Sequence, residues 1–77
     1  MRIFIVKPTK KEIVGQRLKD ARIKRHLTIQ QVANATGISA SAISCYENGK
    51  RYPTNVSLFR LSEYYVIPRK DIVGENA

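Results

Sequence analysis

The chain has 77 residues, enough for one small domain and too few for a second hydrophobic core. Lys and Arg number 14 against 6 Asp and Glu, a formal net charge of +8, which indicates an anionic partner such as nucleic acid or an acidic membrane surface. A lone cysteine, Cys45, excludes an intramolecular disulfide framework and a Cys-rich zinc site. The first apolar run, residues 3–6, is too short for a membrane span or a signal peptide. We therefore expect a cytoplasmic protein.

That apolar run is the first predicted element, a strand of β-branched and aromatic residues that ends at Lys7 and Pro8. One strand cannot satisfy its own backbone hydrogen bonds, so it needs a partner. Either it packs as an arm on its own domain, or it pairs with the same strand of a second subunit. The absence of a second strand-like segment in the sequence favours the symmetric dimer.

The first predicted helix begins at a capping box. Thr9 and Glu12 have the spacing at which a threonine oxygen accepts from the backbone amide three residues on, while the acidic side chain accepts from the amide of the cap. The helix then runs to about Arg25, with charged residues around a single apolar stripe. The stripe consists of Val14, Leu18 and Ala21.

Two short helices follow. Thr28 and Gln31 repeat the capping-box spacing, and Gly37 ends this second helix, since glycine enters the left-handed region most readily. Ser39 is the predicted N-cap of the third helix, which closes at Asn48 and Gly49. Its apolar side is formed by Ile43 and Tyr46.

Two more helices complete the prediction. Residues 50–53 form a basic loop, and Thr54 caps a fourth helix whose inward positions are Leu58, Leu61 and Tyr65. After a link at residues 66–67, Pro68 suits the first position of a last helix that ends at Gly74.

The predicted fold is therefore all-α, a compact five-helix bundle with a short N-terminal strand. Residues 1–8 form the strand or arm, residues 9–74 the helical domain and residues 75–77 a tail. Nine of the 14 basic residues lie in the first 25 positions, whereas residues 26–46 contain no Asp, Glu, Lys or Arg. A neutral segment of the sequence thus lies between two basic ones.

The sequence of that neutral segment predicts a helix-turn-helix. Val32 and Ala33 pack one short helix closely against the next, Gly37 makes the sharp turn, Ile38 fills the crevice and Ile43 anchors the second helix. The outward side of this second helix is small and neutral. A helix in this position enters the major groove of DNA in helix-turn-helix proteins.

At this point the sequence resembles the phage repressor/Cro-type helix-turn-helix family, which binds operator DNA through a lambda-repressor-like five-helix bundle. The resemblance runs from about Ile13 to Val73. Its marks are residues 15–18, Thr28, residues 32–33, 37–39 and 43–53, and the closing apolar pattern Leu58, Leu61, Tyr65, Ile67, Ile72 and Val73. It implies a sequence-specific double-stranded DNA-binding transcriptional regulator, a homodimer on a palindromic operator, with residues of about 39–47 as the recognition helix.

The resemblance also assigns roles to particular residues. Those placed against DNA phosphates are Thr28, Arg17, Asn48, Lys50 and Arg51. Those facing base edges are Ala40, Ser41, Ser44 and Cys45. Arg22 and Glu47 match a pair that ties the first helix to the end of the third, the alternative being two independent surface charges.

The chain departs from the family pattern at the DNA-facing positions. Ile29 stands where many members have a phosphate-supporting Gln, and Ala40 and Ser41 stand where Gln, Arg or Asn often bind a base with two hydrogen bonds. We therefore expect modest direct readout, with phosphate contacts and DNA shape supplying much of the affinity. Cys45 is either a small groove-facing residue or, near Arg51, a thiolate whose oxidation stops DNA binding.

Other functions have less support. The competing hypothesis is a helix-turn-helix protein-interaction module, such as an antitoxin or a partner of a larger regulator. The sequence disfavours an enzyme. Its single histidine, His26, and its single cysteine, Cys45, are far apart, its glycines are isolated, and it has no carboxylate pair at catalytic spacing. We expect no metal, no cofactor, no small-molecule substrate and no membrane partner.

Overall fold

The computed structural model describes residues 7–74, which form five helices and confirm the predicted all-α bundle for this part of the chain. The helices are α1 (Lys10–Lys24), α2 (Ile29–Thr36), α3 (Ala40–Glu47), α4 (Asn55–Tyr65) and α5 (Arg69–Val73). The predicted strand at residues 3–6 lies outside the described residues.

Side-chain caps start the first four helices, as predicted. The N-caps are Thr9, Thr28, Ser39 and Thr54, and each side-chain oxygen accepts from the amide three residues later. In α1 the capping box is complete, because Glu12 Oε1 accepts from the Thr9 amide at 2.8 Å. That backbone hydrogen bond lowers the pKa of Glu12 below its ordinary value.

The start of α5 differs from the prediction by one residue. Pro68 is the N-cap rather than the first helical residue, with a ψ of 142° that lies outside the helical region. Its carbonyl oxygen accepts the first helical bond, from the Ile72 amide at 3.3 Å. Pro68 still needs no amide hydrogen at this position, so the predicted role of proline as a helix start holds one position earlier.

The core is one continuous apolar cluster between the helices. α1 packs on α3 and α5, α2 packs on α3 and α4, and α4 packs on α5. The buried residues are Val14, Leu18, Ala21, Val32, Ala33, Ile38, Ile43, Tyr46, Leu58, Leu61, Tyr65, Ile72 and Val73. Because α1 and α2 both hold α3 on its inner side, the opposite side of α3 is left facing outward.

Two glycines allow these contacts. Gly37 ends α2 with a φ of 76°, in the left-handed region, and its amide donates to Ala33 at 2.9 Å. Gly15 is in the middle of α1, where a Cβ would collide with the carbonyl oxygen of Tyr46 in α3. Helices α1 and α3 are therefore so close at this point that only glycine fits at position 15.

Candidate nucleic-acid interface

The outward side of α3 carries small, uncharged side chains. Ile43 and Tyr46 are buried on its inner side. The four predicted base-facing residues share the other side, because their spacing of one and four residues brings them together on a helix: Ala40, Ser41, Ser44 and Cys45. Ser41 is exposed and the other three are half-buried, with Ala40 also packed against the core.

The segment after α3 folds back onto the end of that helix. The backbone amides of Lys50 and Arg51 both donate to the carbonyl oxygen of Cys45, at 2.9 and 3.3 Å. The Asn48 side chain donates to Ser44 Oγ at 3.3 Å. The side chains of Lys50 and Arg51 are exposed, and neither forms an ion pair within residues 7–74. The fold thus presents two exposed cationic side chains from a fixed backbone just beyond the C-terminal end of α3.

The start of α2 offers a second group of donors. Thr28 Oγ1 accepts from the Gln31 amide at 3.1 Å, and Gln31 Oε1 accepts from the Thr28 amide at 2.8 Å. Because Thr28 Oγ1 acts as an acceptor in this box, its hydroxyl proton is left to donate to another group. The amides of Ile29 and Gln30 in the first turn have no intrahelical acceptor. These donors and the positive end of the helix dipole suit an anion.

One arginine links these two groups. The Arg22 guanidinium donates to both carboxylate oxygens of Glu47, at 2.8 and 2.9 Å, and also to the Leu27 carbonyl oxygen at 2.8 Å. Leu27 immediately precedes the Thr28 cap, and Glu47 is the last residue of α3. The hydrogen bond to Glu47 raises the pKa of Arg22. Arg22 therefore fixes the start of α2 relative to the end of α3.

Arg17, the remaining predicted phosphate-binding residue, lies near α5. Its guanidinium is 3.4 Å from the carbonyl oxygen of Asp71 in α5 and packs against Gly74. Gly15, two residues earlier on α1, contacts α3 on nearly the opposite side of the helix. The structure brings the predicted phosphate-binding residues Asn48, Lys50 and Arg51 together but does not place Arg17 with them.

Two structural contributions of these residues are not among the predictions from the sequence. Gly15 is predicted only as part of the family motif, although a glycine inside a helix is costly and signals a packing requirement. Arg25 donates to the carbonyl oxygens of Ala21 and Tyr65 and lies 5.3 Å from the centre of the Tyr65 ring. Arg25 is separated from Tyr65 by 40 residues, so no local pattern could have shown this contact.

The interior behind this surface contains two different tyrosines. The hydroxyl of Tyr46 forms a hydrogen bond with Ser57 Oγ at 3.0 Å. The hydroxyl of Tyr65 is buried and has no hydrogen-bond partner among the described residues. Desolvation, and next the nearby charge of Glu47, raise the pKa of Tyr65 to about 12.

Three further features of the described part of the chain concern its thiol, its possible metal ligands and the length of its helices. Cys45 is a free, half-buried thiol. Within residues 7–74, no group of three or more His, Cys, Asp or Glu side chains is arranged to hold a metal ion. None of the five helices is long and apolar enough to cross a membrane.

The chain is similar to three curated regulators. It is 38% identical over 63 residues to the HTH-type transcriptional repressor RghR of Bacillus subtilis (strain 168), a match that covers 80% of this chain and 47% of RghR. It is 27% identical over 62 residues to the cryptic phage CTXphi transcriptional repressor RstR of Vibrio cholerae, covering 80% and 56%. The third, the uncharacterized HTH-type transcriptional regulator RghRB of B. subtilis (strain 168), is 37% identical over 61 residues, covering 78% and 44%.

The chain spans about half the length of the curated relatives it matches. No solved structure matches it. The family described as Helix-turn-helix domain matches residues 15–74, which include all of α2 to α5 and most of α1. Together with the packing of α3 on α1 and α2, this match shows that the chain belongs to the helix-turn-helix domain family.

Proposed function

We propose that this chain is the DNA-binding part of a transcriptional regulator, a repressor that binds double-stranded DNA with α3 in the major groove. The observation that carries this proposal is the outward side of α3, which is uncharged and flanked by exposed Lys50 and Arg51. A recognition helix needs a side without bulky packing contacts and a positive border that meets the phosphates. The repressor names of the similar proteins support the same function.

The phosphate contacts come from both ends of the helix-turn-helix. Lys50, Arg51 and Asn48 bind the phosphates beyond the end of α3. The Thr28 hydroxyl and the first amides of α2 bind a phosphate on the other side of the groove. Arg22 and Glu47 hold these two groups in a fixed arrangement, because their hydrogen bonds connect the start of α2 to the end of α3.

Base recognition comes from few atoms. Ser41 and Ser44 each offer one hydroxyl, and Ala40 and Cys45 offer small groups that fit beside a thymine methyl. The Ser44 hydroxyl already accepts from Asn48, so its remaining proton is its donor to a base. We infer that phosphate contacts and DNA shape supply most of the affinity.

A salt titration of duplex binding tests this function. The logarithm of the association constant should fall with the logarithm of salt concentration, with a slope of about 0.9 per phosphate neutralised. Lys50→Ala and Arg51→Ala should each weaken binding and reduce the slope by about 1. Lys24→Ala removes the same charge from the side of α1 near α5 and should leave both quantities nearly unchanged. No duplex binding at low salt would instead favour the protein-interaction module.

The regulator acts as a homodimer in the cytoplasm, on an operator with two-fold symmetry, and it carries no catalytic activity. Two half-sites one helical turn apart, about 34 Å, match a symmetric dimer. The strand predicted at residues 3–6 is a candidate dimer contact, because a single strand needs a partner for its backbone hydrogen bonds. Selection of bound duplexes from a random pool tests the symmetry and the half-site spacing together. An asymmetric single half-site would contradict the dimeric complex.

A further inference from the structure

The outward side of α4 carries several large apolar residues, where a surface helix is normally polar. Within residues 7–74, five large hydrophobic residues are exposed, and four of them lie on α4 or at its end: Val56, Phe59, Tyr64 and Val66. Phe59 is 65% exposed and Val56 58% exposed. Exposed apolar residues that are scattered singly need no explanation, but a group of them on one helix marks an interaction surface.

Two of these residues share one side of α4 with a charged residue. Val56, Phe59 and Glu63 follow one another at intervals of three and four residues along this stripe, and Val66 lies just beyond it, at the C-cap of the helix. The buried side of α4, which contains Leu58, Leu61 and Tyr65, is opposite this stripe. We call the residues Val56, Phe59, Arg60, Glu63 and Val66 the α4 face.

Val66 strengthens the case for a partner. It ends α4 with a φ of 57° in the left-handed region, which a β-branched residue rarely adopts, and its side chain is 84% exposed. Gly37 and Gly74 occupy the corresponding positions of α2 and α5 without strain. Neither the backbone conformation of Val66 nor its exposure is offset by burial within the subunit.

The charges of the α4 face are complementary to a second copy of the same face. Arg60 and Glu63 are exposed, carry opposite charges, and form no ion pair within residues 7–74. A two-fold interface brings the same patch of both subunits together, so it needs a patch that complements itself. Glu63 in the stripe opposes DNA binding there, whereas an Arg60 from a second copy neutralises it.

We propose that a second copy of this chain binds the α4 face, with the two α4 helices antiparallel about a two-fold axis near the middle of the helix. In this arrangement Val56 packs against Val66 of the second copy, and Arg60 pairs with Glu63 of the second copy. Phe59 enters a shallow groove of about 370 Å³ between α2 and α4 of the other subunit, which is lined by Ala35, Thr36, Phe59, Arg60, Glu63 and Tyr64.

This interface leaves the DNA-binding surface free, because α3 packs on α1 and α2 and its outward side belongs to a different element. It specifies the contact for the homodimer proposed above, but the association needs no DNA. One helix face buries less area than a standard interface of about 1,600 Å² in total, so we expect a weak, concentration-dependent dimer that binding to adjacent half-sites reinforces.

Sedimentation equilibrium of the full chain without DNA, over a wide range of protein concentration, tests the proposal. Phe59→Glu should raise the dissociation constant of the dimer by about tenfold or more. Ile23→Glu is the matched control, since Ile23 is the exposed large hydrophobic residue on α1 and should not alter association. Thermal unfolding monitored by circular dichroism confirms that both variants remain folded. A chain that is monomeric throughout, or equal effects of the two variants, overturns the proposal.

A charge reversal tests the pairing itself. Arg60→Glu and Glu63→Arg should each weaken association, because each places like charges opposite one another, and the double variant should restore it. A double variant no better than the single ones contradicts the antiparallel arrangement. Deletion of residues 1–7 should leave association in place, and loss of the dimer by this deletion alone assigns the contact to the N-terminal segment instead. Failure of these outcomes does not affect DNA binding by Lys50 and Arg51, which the salt titration measures separately.

Discussion

The buried carboxylate of Glu47, 4% exposed, receives two hydrogen bonds from Arg22, one from Nε at 2.8 Å and one from an Nη at 2.9 Å. The same guanidinium donates to Leu27 before the start of α2. A buried ion pair is weak evidence for stability, because removal of both charges from water is costly. Its geometry here is better explained by orientation, since it joins the two helix ends that carry the phosphate donors.

Loss of one partner should therefore be more harmful than loss of both. We expect Arg22→Met to lower the free energy of unfolding by about 3–5 kcal/mol, because it leaves the Glu47 carboxylate buried without its partner. The double variant Arg22→Met with Glu47→Leu should recover much of this loss. Its DNA affinity should remain low, because the start of α2 is no longer tied to α3.

Chemical denaturation and duplex binding of the same variants measure these two effects separately. Arg17→Ala is the matched control, as an exposed arginine on α1 with one long contact of 3.4 Å to a backbone carbonyl, and should change stability little. Recovery of full DNA affinity in the double variant would show that the pair has no orienting role.

The close contact of α1 with α3 makes a second prediction. Gly15→Ala should lower the free energy of unfolding by about 1–3 kcal/mol, because the new Cβ collides with the Tyr46 carbonyl oxygen and forces the helices apart. This loss occurs although alanine is about 1 kcal/mol more favourable than glycine inside a helix. Gln16→Ala at the neighbouring exposed position is the control. An unfolding free energy equal to or above that of the unaltered chain would contradict this prediction, because separating α1 and α3 would then cost no more than the roughly 1 kcal/mol that alanine gains.

These residues also show what a sequence can predict. The caps Thr28 and Ser39 and the turn at Gly37 follow from local spacing, because each acts on residues within one helical turn. The requirement for glycine at position 15 depends on how α1 crosses α3, which no local pattern specifies. No local pattern specifies the environment of Arg17 either, because Arg17 contacts Asp71 of α5, which is 54 positions away in the sequence.

The small side chains of α3 make a third prediction. Single base changes in the DNA that faces residues 40–45 should each weaken binding by less than about tenfold. The reason is that these small side chains cannot form bidentate contacts with a base, each of which would add about 1–3 kcal/mol of discrimination. Duplexes that differ at one base pair from the selected operator, measured at one salt concentration, provide the test. Losses well above tenfold at these positions would show that α3 reads the bases directly and strongly.

Two buried tyrosines should respond in opposite ways to the loss of their hydroxyls. Tyr65→Phe removes a hydroxyl without a partner and should raise the free energy of unfolding by about 1 kcal/mol. Tyr46→Phe removes the hydrogen bond with Ser57 and should lower it by about 1–3 kcal/mol, since Ser57 is left buried and unpaired. Denaturant unfolding of both variants at neutral pH measures the contrast. A loss of stability in Tyr65→Phe equal to that in Tyr46→Phe would mean that the Tyr65 hydroxyl has a stabilising partner.

Tyr65 should also make the domain sensitive to alkali. Its pKa is about 12 in the folded chain against an ordinary value of 10.0, so the folded state holds this proton more tightly than the unfolded state does. Ionisation of Tyr65 therefore leaves the free energy of unfolding unchanged below pH 10 and lowers it as the pH rises from 10 to about 12. The loss is at most about 1.4 kcal/mol per pH unit. The Tyr65→Phe variant lacks the Tyr65 hydroxyl but has every other titrating group of the unaltered chain. The difference in unfolding free energy between the variant and the unaltered chain should therefore grow from pH 10 to about 12. Parallel pH profiles of the two chains would contradict the raised pKa of Tyr65.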